Sequence, residues 1–470
     1  MTVVLHSGGR ETKALCRKWA LKGGKPFHKG ALQERMRLPK GARGKNPLLR
    51  TWKQWLFIVA ALLPVLCLIA CTSVPPTRRG PTGKREPEIR VLLLEEADEV
   101  TIDFNGPVQV TAQGGFPLFD TEGAGSIDVS AQQSSLYFRQ APSGSVSTTD
   151  GEVVINPGKQ SMLSIRGVSY PGRIVVSATA GRISLVNILP IETYLEGVLP
   201  HEMGDPGPHG YAALQAQAIA ARTYALAKMR KRRYERFDVV ATVMDQLYRG
   251  TEGAYRLATG AARDTRGRVL EYQDELVRAY YSACCGGHTS DIRRVWPERE
   301  PAAYLTGIRD IDGISKKTCC REYRRFRWRH SFSGRELGQI IRETLPRELG
   351  INEDNIGAFR DVRILERSAS GRVTSIEIET SKGLFRVQGD RIRWVLMIDP
   401  ENNQILPSTM FDISKSMEGN TASFVSITGG GNGHGVGMCQ SGAIGMAKQG
   451  YTYQMILSHY YTGCRVKKEY

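Results

Sequence analysis

Beyond its first 71 residues this sequence has little excess of charge. The 470-residue chain carries a formal +17, yet 14 of its 64 Lys and Arg, and only two of its 47 acids, lie in residues 1–71. The rest of the chain holds 50 basic and 45 acidic side chains. Binding a polyanion takes a concentrated basic face, so nucleic acid is excluded as the expected partner. Long hydrophobic runs are also scarce. The main one, Trp55 to Ala70, is interrupted by Pro64 and is about half the length of a confident membrane-spanning helix. There is no internal repeat, and no Cys-x-x-Cys spacing of the kind that builds a zinc finger. Strand and helix patterns do not alternate regularly, which argues against a doubly wound parallel sheet and for an α+β fold.

What is present at the start reads as an export signal. Arg50 and Lys53 flank the apolar run, and Leu68-Ile69-Ala70-Cys71 resembles a bacterial lipobox. Residues 1–71 are therefore expected to be a leader and lipoprotein signal peptide, with lipid on Cys71; a plain membrane anchor is the alternative. Residues 72–88, rich in Pro, Gly and Arg, fit a flexible tether. The expected location is outside the cytoplasm, anchored to the membrane and facing the periplasm or cell wall. Six cysteines then remain, Cys284, Cys285, Cys319, Cys320, Cys439 and Cys464, and an even count outside the cytosol favours disulfides.

Residues 89–181 form a β-rich part. "IRVLLL", "EVTIDF", "VQVTA", "LYFRQ" and "EVVINP" are short β-branched or aromatic runs separated by turn formers. No catalytic constellation falls there, so its expected role is scaffold or recognition. From Arg182 the texture changes to mixed strands and helices. Ala212 to Arg233 is rich in Ala, Leu, Gln, Lys and Arg and predicts a helix, its basic end read as solvated. A hairpin is expected around Gln273-Asp274-Glu275, a helix over 332–345, and a closing helix within 446–461.

Four segments carry the chemistry. They are "LPIETYLEGVLPHEM" (189–203), "ALQAQAIAARTYAL" (213–226), "AYYSACCGGHTSD" (279–291) and "GGGNGHGVGMCQSGAIGMAKQG" (429–450), with "DQLYRG" (245–250) between them. Together, and in this order, they resemble the SpoIID/LytB family, named for the stage II sporulation protein D and the modifier of a major autolysin. The resemblance implies that residues 182–470 form a mixed α/β glycan-cleaving domain. It further implies a lytic transglycosylase, which cuts the bond between N-acetylmuramic acid and N-acetylglucosamine without adding water. The muramic acid C6 hydroxyl attacks its own anomeric carbon and leaves a 1,6-anhydro ring. One carboxyl group can serve as acid and then as base, because the nucleophile is part of the substrate.

Glu202 matches the family's catalytic Glu, and Val198, Leu199, Pro200 and Met203 around it can desolvate it and raise its pKa. A placement near the N-terminus of the following helix would instead favour its ionised form. Arg222 is expected to bind a substrate carboxylate or acetamide, or else to form a structural ion pair. Glu192 and Glu196 read as solvent-facing. Tyr224, Gln246, Ser282, Gly286, Gly287, His434 and Gln440 are the further residues expected to bind substrate. Tyr224 as core and His434 as a structural histidine are the plainer readings. Cys284, Cys285, His288, Cys319 and Cys320 admit two chemistries, an inter-loop disulfide or a structural zinc; no cofactor is required for the reaction. The implied partners are peptidoglycan glycan strands, those stripped of their stem peptides included, the membrane through the lipid anchor, and a cell-wall amidase. The rival reading is a non-enzymatic glycan-binding enhancer of that amidase.

Overall fold

The structure, a computed structural model, describes residues 85–313 and 315–470. The leader, Cys71 and residues 72–84 of the tether lie outside the described residues. The fold is α+β, as expected.

Two sheets open the described chain, antiparallel throughout except where Val239–Val240 joins Glu88–Ala97 in parallel. In Glu99–Phe104 burial alternates strictly, with Val100, Ile102 and Phe104 pointing inward, the period of two that a strand imposes. Its sheet runs Val168–Tyr170, Leu163–Ile165, Glu99–Phe104, Gly125–Gln132, Ser135–Ala141, Val146–Asp150. The facing sheet runs Val239–Val240, Glu88–Ala97, Arg182–Pro190, Arg173–Thr179, Val153–Pro157, Val108–Ala112, Pro117–Thr121. Ile102, Ile127 and Phe138 from the first meet Val110, Ile155, Ile174 and Leu185 from the second in one core.

The boundary expected at 181/182 runs through this sheet. Arg182–Pro190 pairs on one side with Glu88–Ala97 (Ile89 opposite Leu189) and on the other with Arg173–Thr179. The change of texture at Arg182 marks a change in what the chain packs against, and the sheet itself continues.

Helix α1 (Ile191–Met203) follows that strand directly and buries Tyr194, Leu195, Val198 and Leu199. Helix α2 (Tyr211–Lys231) contains neither Gly nor Pro, and its run of alanines lets neighbours approach closely. It packs against α1, α3 (Arg256–Asp264), and two later helices, Gln440–Lys448 and Tyr453–Tyr460. Such a central helix is buried nearly all round, which is why its sequence shows no amphipathic stripe.

A separate core lies between Trp328 and Ile427. Trp328–Ser333 pairs with Thr421–Gly429, and helix α4 (Gly334–Leu349) starts behind it. Ser333 Oγ accepts the Glu336 N–H at 3.1 Å, half of a Ser-x-x-Glu capping arrangement, and Gly350 ends the helix in the left-handed region. The expected 332–345 helix thus starts two residues late, because Phe332 belongs to the strand. The chain then returns to α2 through helices α5 (Gln440–Lys448) and α6 (Tyr453–Tyr460). Among the described residues no helix is long and apolar enough to cross a membrane.

Candidate functional site

Glu202 is the penultimate residue of α1, half-buried. Its Oε1 accepts the Leu247 main-chain N–H at 2.9 Å, and its Oε2 faces Gln440 Nε2, the first residue of α5, at 3.4 Å. Burial raises its pKa above the ordinary carboxyl value, and these two hydrogen bonds only partly oppose that. Its position corrects the reading that put it near the start of the next helix. At the C-terminus of α1 the helix dipole presents negative charge, which also disfavours the carboxylate.

Behind Glu202 stands a buried polar row. Gln246 is fully buried; its Oε1 accepts from Tyr194 Oη at 3.1 Å and its Nε2 donates to Tyr281 Oη at 2.9 Å and the Ala221 carbonyl at 3.3 Å. Every polar atom of Gln246 is thus engaged by the protein, so it supports the Leu247 loop and does not face substrate. Tyr224 is largely buried and donates its hydroxyl to Asp245 at 2.7 Å. Asp245 also takes Lys228 Nζ at 2.5 Å and the Val240 N–H at 3.0 Å. The basic end of α2 is therefore partly a tether for the 240–247 loop and not simply a solvated helix end.

Arg222 does not reach a substrate. Its side chain is completely buried, and its guanidinium grips Glu192 through two bonds of 2.9 and 2.6 Å. Its remaining donors go to the Arg268, Ala262 and Ala218 carbonyls at 3.1, 3.2 and 3.4 Å. Glu192, expected on the surface, is buried and also accepts the Gly267 N–H at 2.9 Å and Tyr470 Oη at 2.6 Å. Burial pushes the Glu192 pKa up, but Arg222, Tyr470 and Gly267 bring it below the ordinary value. The pair is a structural clamp between α1 and α2.

The Gly-rich turn packs beside the 281–289 loop. Tyr281–Ser282 runs parallel to Met438–Cys439, and Cys284 bridges Asn432. Ser282 Oγ is buried and makes no hydrogen bond to a described residue. Gly286 has φ +78, and a Cβ there would lie 2.8 Å from Met410 Sδ, so it serves close packing. Gly287 (φ +114) donates its N–H toward Cys285 Sγ at 3.4 Å. His434 Nδ1 accepts the Val436 N–H at 3.0 Å, and its ring lies 4.8 Å from that of Trp296. Burial pushes its pKa down to about 3, so it is a neutral structural histidine at the turn. Trp296 and Tyr280 stack with Arg299, whose guanidinium sits 3.9 Å from the Trp296 ring centre.

The six cysteines of the described residues are free thiols, and five are buried. Cys285 Sγ and Cys320 Sγ approach to 3.7 Å, well outside a disulfide bond length. His288 turns away and hydrogen-bonds the Thr289 carbonyl at 2.7 Å. Two residues that the spacing did not flag, Cys439 and Asp310, join Cys285 and Cys320 in a buried cluster. Cys284 lies against it, its thiol interacting with those of Cys320 and Cys439, and Cys319 flanks it. The cysteine spacing could not reveal the cluster, since its members come from three distant segments.

A family model described as stage II sporulation protein matches residues 179–272, and one described as a domain of unknown function matches residues 298–437. The chain is 32% identical over 318 residues to an uncharacterised protein of Brachyspira hyodysenteriae, covering 66% of this chain and 77% of that one. It is 28% identical to the Stage II sporulation protein D of Bacillus subtilis, over 63% of this chain and 80% of that protein. It is also 26% identical to the Amidase enhancer of Bacillus subtilis, over 57% of this chain but only 39% of that protein.

Proposed function

The chain belongs to the SpoIID family, and from that premise we propose that it is an exported lytic transglycosylase cutting peptidoglycan glycan strands, with Glu202 as its one acid and base. The observation that carries the reading is the Glu202 carboxyl itself. It is half-buried at the C-terminus of α1, its pKa is raised by burial, and both its oxygens are held by neighbours from other elements. Such a group keeps a proton at a pH where a surface carboxyl has lost it, as a general acid must.

The protonated Glu202 gives its proton to the glycosidic oxygen as the bond to the muramic acid C1 breaks. The carboxylate left behind takes the proton of the C6 hydroxyl as that oxygen closes on C1. The carboxyl is thereby restored, and the product end carries a 1,6-anhydro ring with no water consumed. Leu247 N–H and Gln440 Nε2 hold the carboxylate in the interval between the two transfers. The Tyr280–Trp296–Arg299 stack is the proposed contact to sugar. The proposed anchor is lipid on Cys71.

The test is digestion of purified wall, intact and freed of stem peptides, with mass spectrometry of the fragments. Fragments ending in 1,6-anhydro-muramic acid, one water lighter than hydrolysed ends, are expected. Glu202→Gln should keep glycan binding and lower the rate by roughly 10²–10⁴-fold, the worth of a positioned acid–base group. A second reading, a glycan-binding enhancer of an amidase, is favoured by the relative named for that activity. Protein that cuts no glycan yet accelerates an added amidase would replace the enzyme reading with it.

A further inference from the structure

We propose that Cys285, Cys320, Cys439 and Asp310 form a closed structural site for one zinc-class divalent cation. Their ligand atoms all lie within 4.8 Å of one another, and all four residues are buried. Zinc–sulfur bonds of about 2.3 Å in a tetrahedron place sulfur pairs about 3.8 Å apart. The Cys285–Cys320 sulfurs are at 3.7 Å. Asp310 Oδ2 stands 3.1 Å from Cys285 Sγ, completing a three-sulfur, one-oxygen set.

The surroundings suit thiolates. Main-chain N–H groups point at the sulfurs: Cys285 N at Cys439 Sγ (3.1 Å), Gly442 N at Cys439 Sγ (3.3 Å) and Gly287 N at Cys285 Sγ (3.4 Å). Such donors stabilise a sulfur that has given up its proton to bind metal. The other Asp310 oxygen accepts from Tyr460 Oη at 2.6 Å, the kind of outer partner that aims a ligating carboxylate. A disulfide explains the cluster less well. A Cys285–Cys320 bond would consume both sulfurs and leave the buried Asp310 carboxylate with only the His459 ring, 3.8 Å away, to offset its charge.

Four protein ligands leave no open position, so the ion braces the fold and takes no part in the chemistry. What it braces matters. It ties the 285–287 loop and the Asp310–Cys320 segment to Cys439, and the next residue, Gln440, holds Glu202. The ligand assignment itself does not depend on the glycan-cleaving reading.

The test is elemental analysis of the full chain, purified reduced and without chelator. About one zinc-class ion per chain is expected, with Cys285→Ser, Cys320→Ser, Cys439→Ser and Asp310→Asn each losing it. Cys464→Ser should keep it. Because ligand variants can fail to fold, the wild-type protein supplies a second arm. Dipicolinate should strip the ion and lower the Tm, added Zn²⁺ should restore it, and Co²⁺ should give an intense sulfur-to-cobalt absorption. Wild-type protein that holds no metal as purified, and whose Tm ignores both chelator and Zn²⁺, overturns the proposal. If Cys284→Ser empties the site while Asp310→Asn does not, the ligand set is wrong.

Discussion

At Glu202 two forces compete over one proton. Burial and the end of α1 favour the neutral acid, while Leu247 N–H and Gln440 favour the anion, and burial prevails. Two consequences follow in opposite assays. Cleavage needs the acid form, so the rate should fall as pH rises through the raised pKa, a limb displaced above the ordinary carboxyl range. Stability moves the same way for a different reason. Between the ordinary carboxyl value and the raised one, the folded protein binds more protons than the unfolded chain, so stability drops as pH climbs through that window. Glu202→Gln removes the penalty. Its Tm should exceed that of the wild type at neutral pH, and the gap should close as pH falls below the ordinary carboxyl value. Thermal melts across pH check this, and equal Tm differences at every pH would show that burial does not raise the Glu202 pKa. The residue itself was legible from its motif. The sign of the helix effect was not, because it depends on which helix the loop belongs to, and α1 runs through Pro200 to Met203.

Between elements, the Arg222–Glu192 clamp carries the argument. The alanine-rich pattern announced α2, and small neighbours hinted that Arg222 had a specific target. The sequence could not name the target, since Glu192 lies 30 residues away on another helix and nothing local distinguishes it from Glu196. Removing one partner of a buried pair leaves the other charge stranded, at about 3–5 kcal/mol. Arg222→Ala should therefore lower unfolding stability by about that much in urea titrations, with glycan binding unchanged in the protein that stays folded at low temperature. Weaker binding with full stability would instead put Arg222 in the sugar site. Gly435 makes a second case. Its φ is +76, and a Cβ there would collide with Arg372 Nη2. Arg372 is buried and donates to the Cys285 carbonyl at 2.8 Å, linking the Trp328–Gly429 body to the cysteine loop. Gly435→Ala should thus strain the backbone and push on this link together, and so destabilise the protein, where Gly→Ala at a site of compatible backbone stabilises by about 0.4–1 kcal/mol. A urea series on this variant checks that.

For the whole molecule, composition reveals a β-rich part followed by a mixed part, and both are there. What composition cannot show is that they share a sheet. Side-chain alternation marks Arg182–Pro190 as a strand but says nothing about its partners, which are set by long-range pairing. Those partners are Glu88–Ala97 and Arg173–Thr179, and Val239–Val240, from beyond α2, joins the outer edge of Glu88–Ala97 in parallel. Ile89 and Val91 from the first strand pack in one core with Leu195, Val198 and Ala221 of α1 and α2. Arg90 adds an ion pair to the buried Asp238 at 2.6 Å. A chain starting at residue 182 would thus expose the inner face of its own first strand and leave the helices that carry Glu202 without Ile89 and Val91. Residues 182–470 alone should therefore fail to fold cooperatively, by circular dichroism melts and proteolysis, although they contain every proposed site residue. Residues 85–470 should melt as a stable protein. A 182–470 fragment with a sharp melt and intact glycan cleavage would show that the sandwich is dispensable, and that the shared sheet contributes little to holding Glu202 in place.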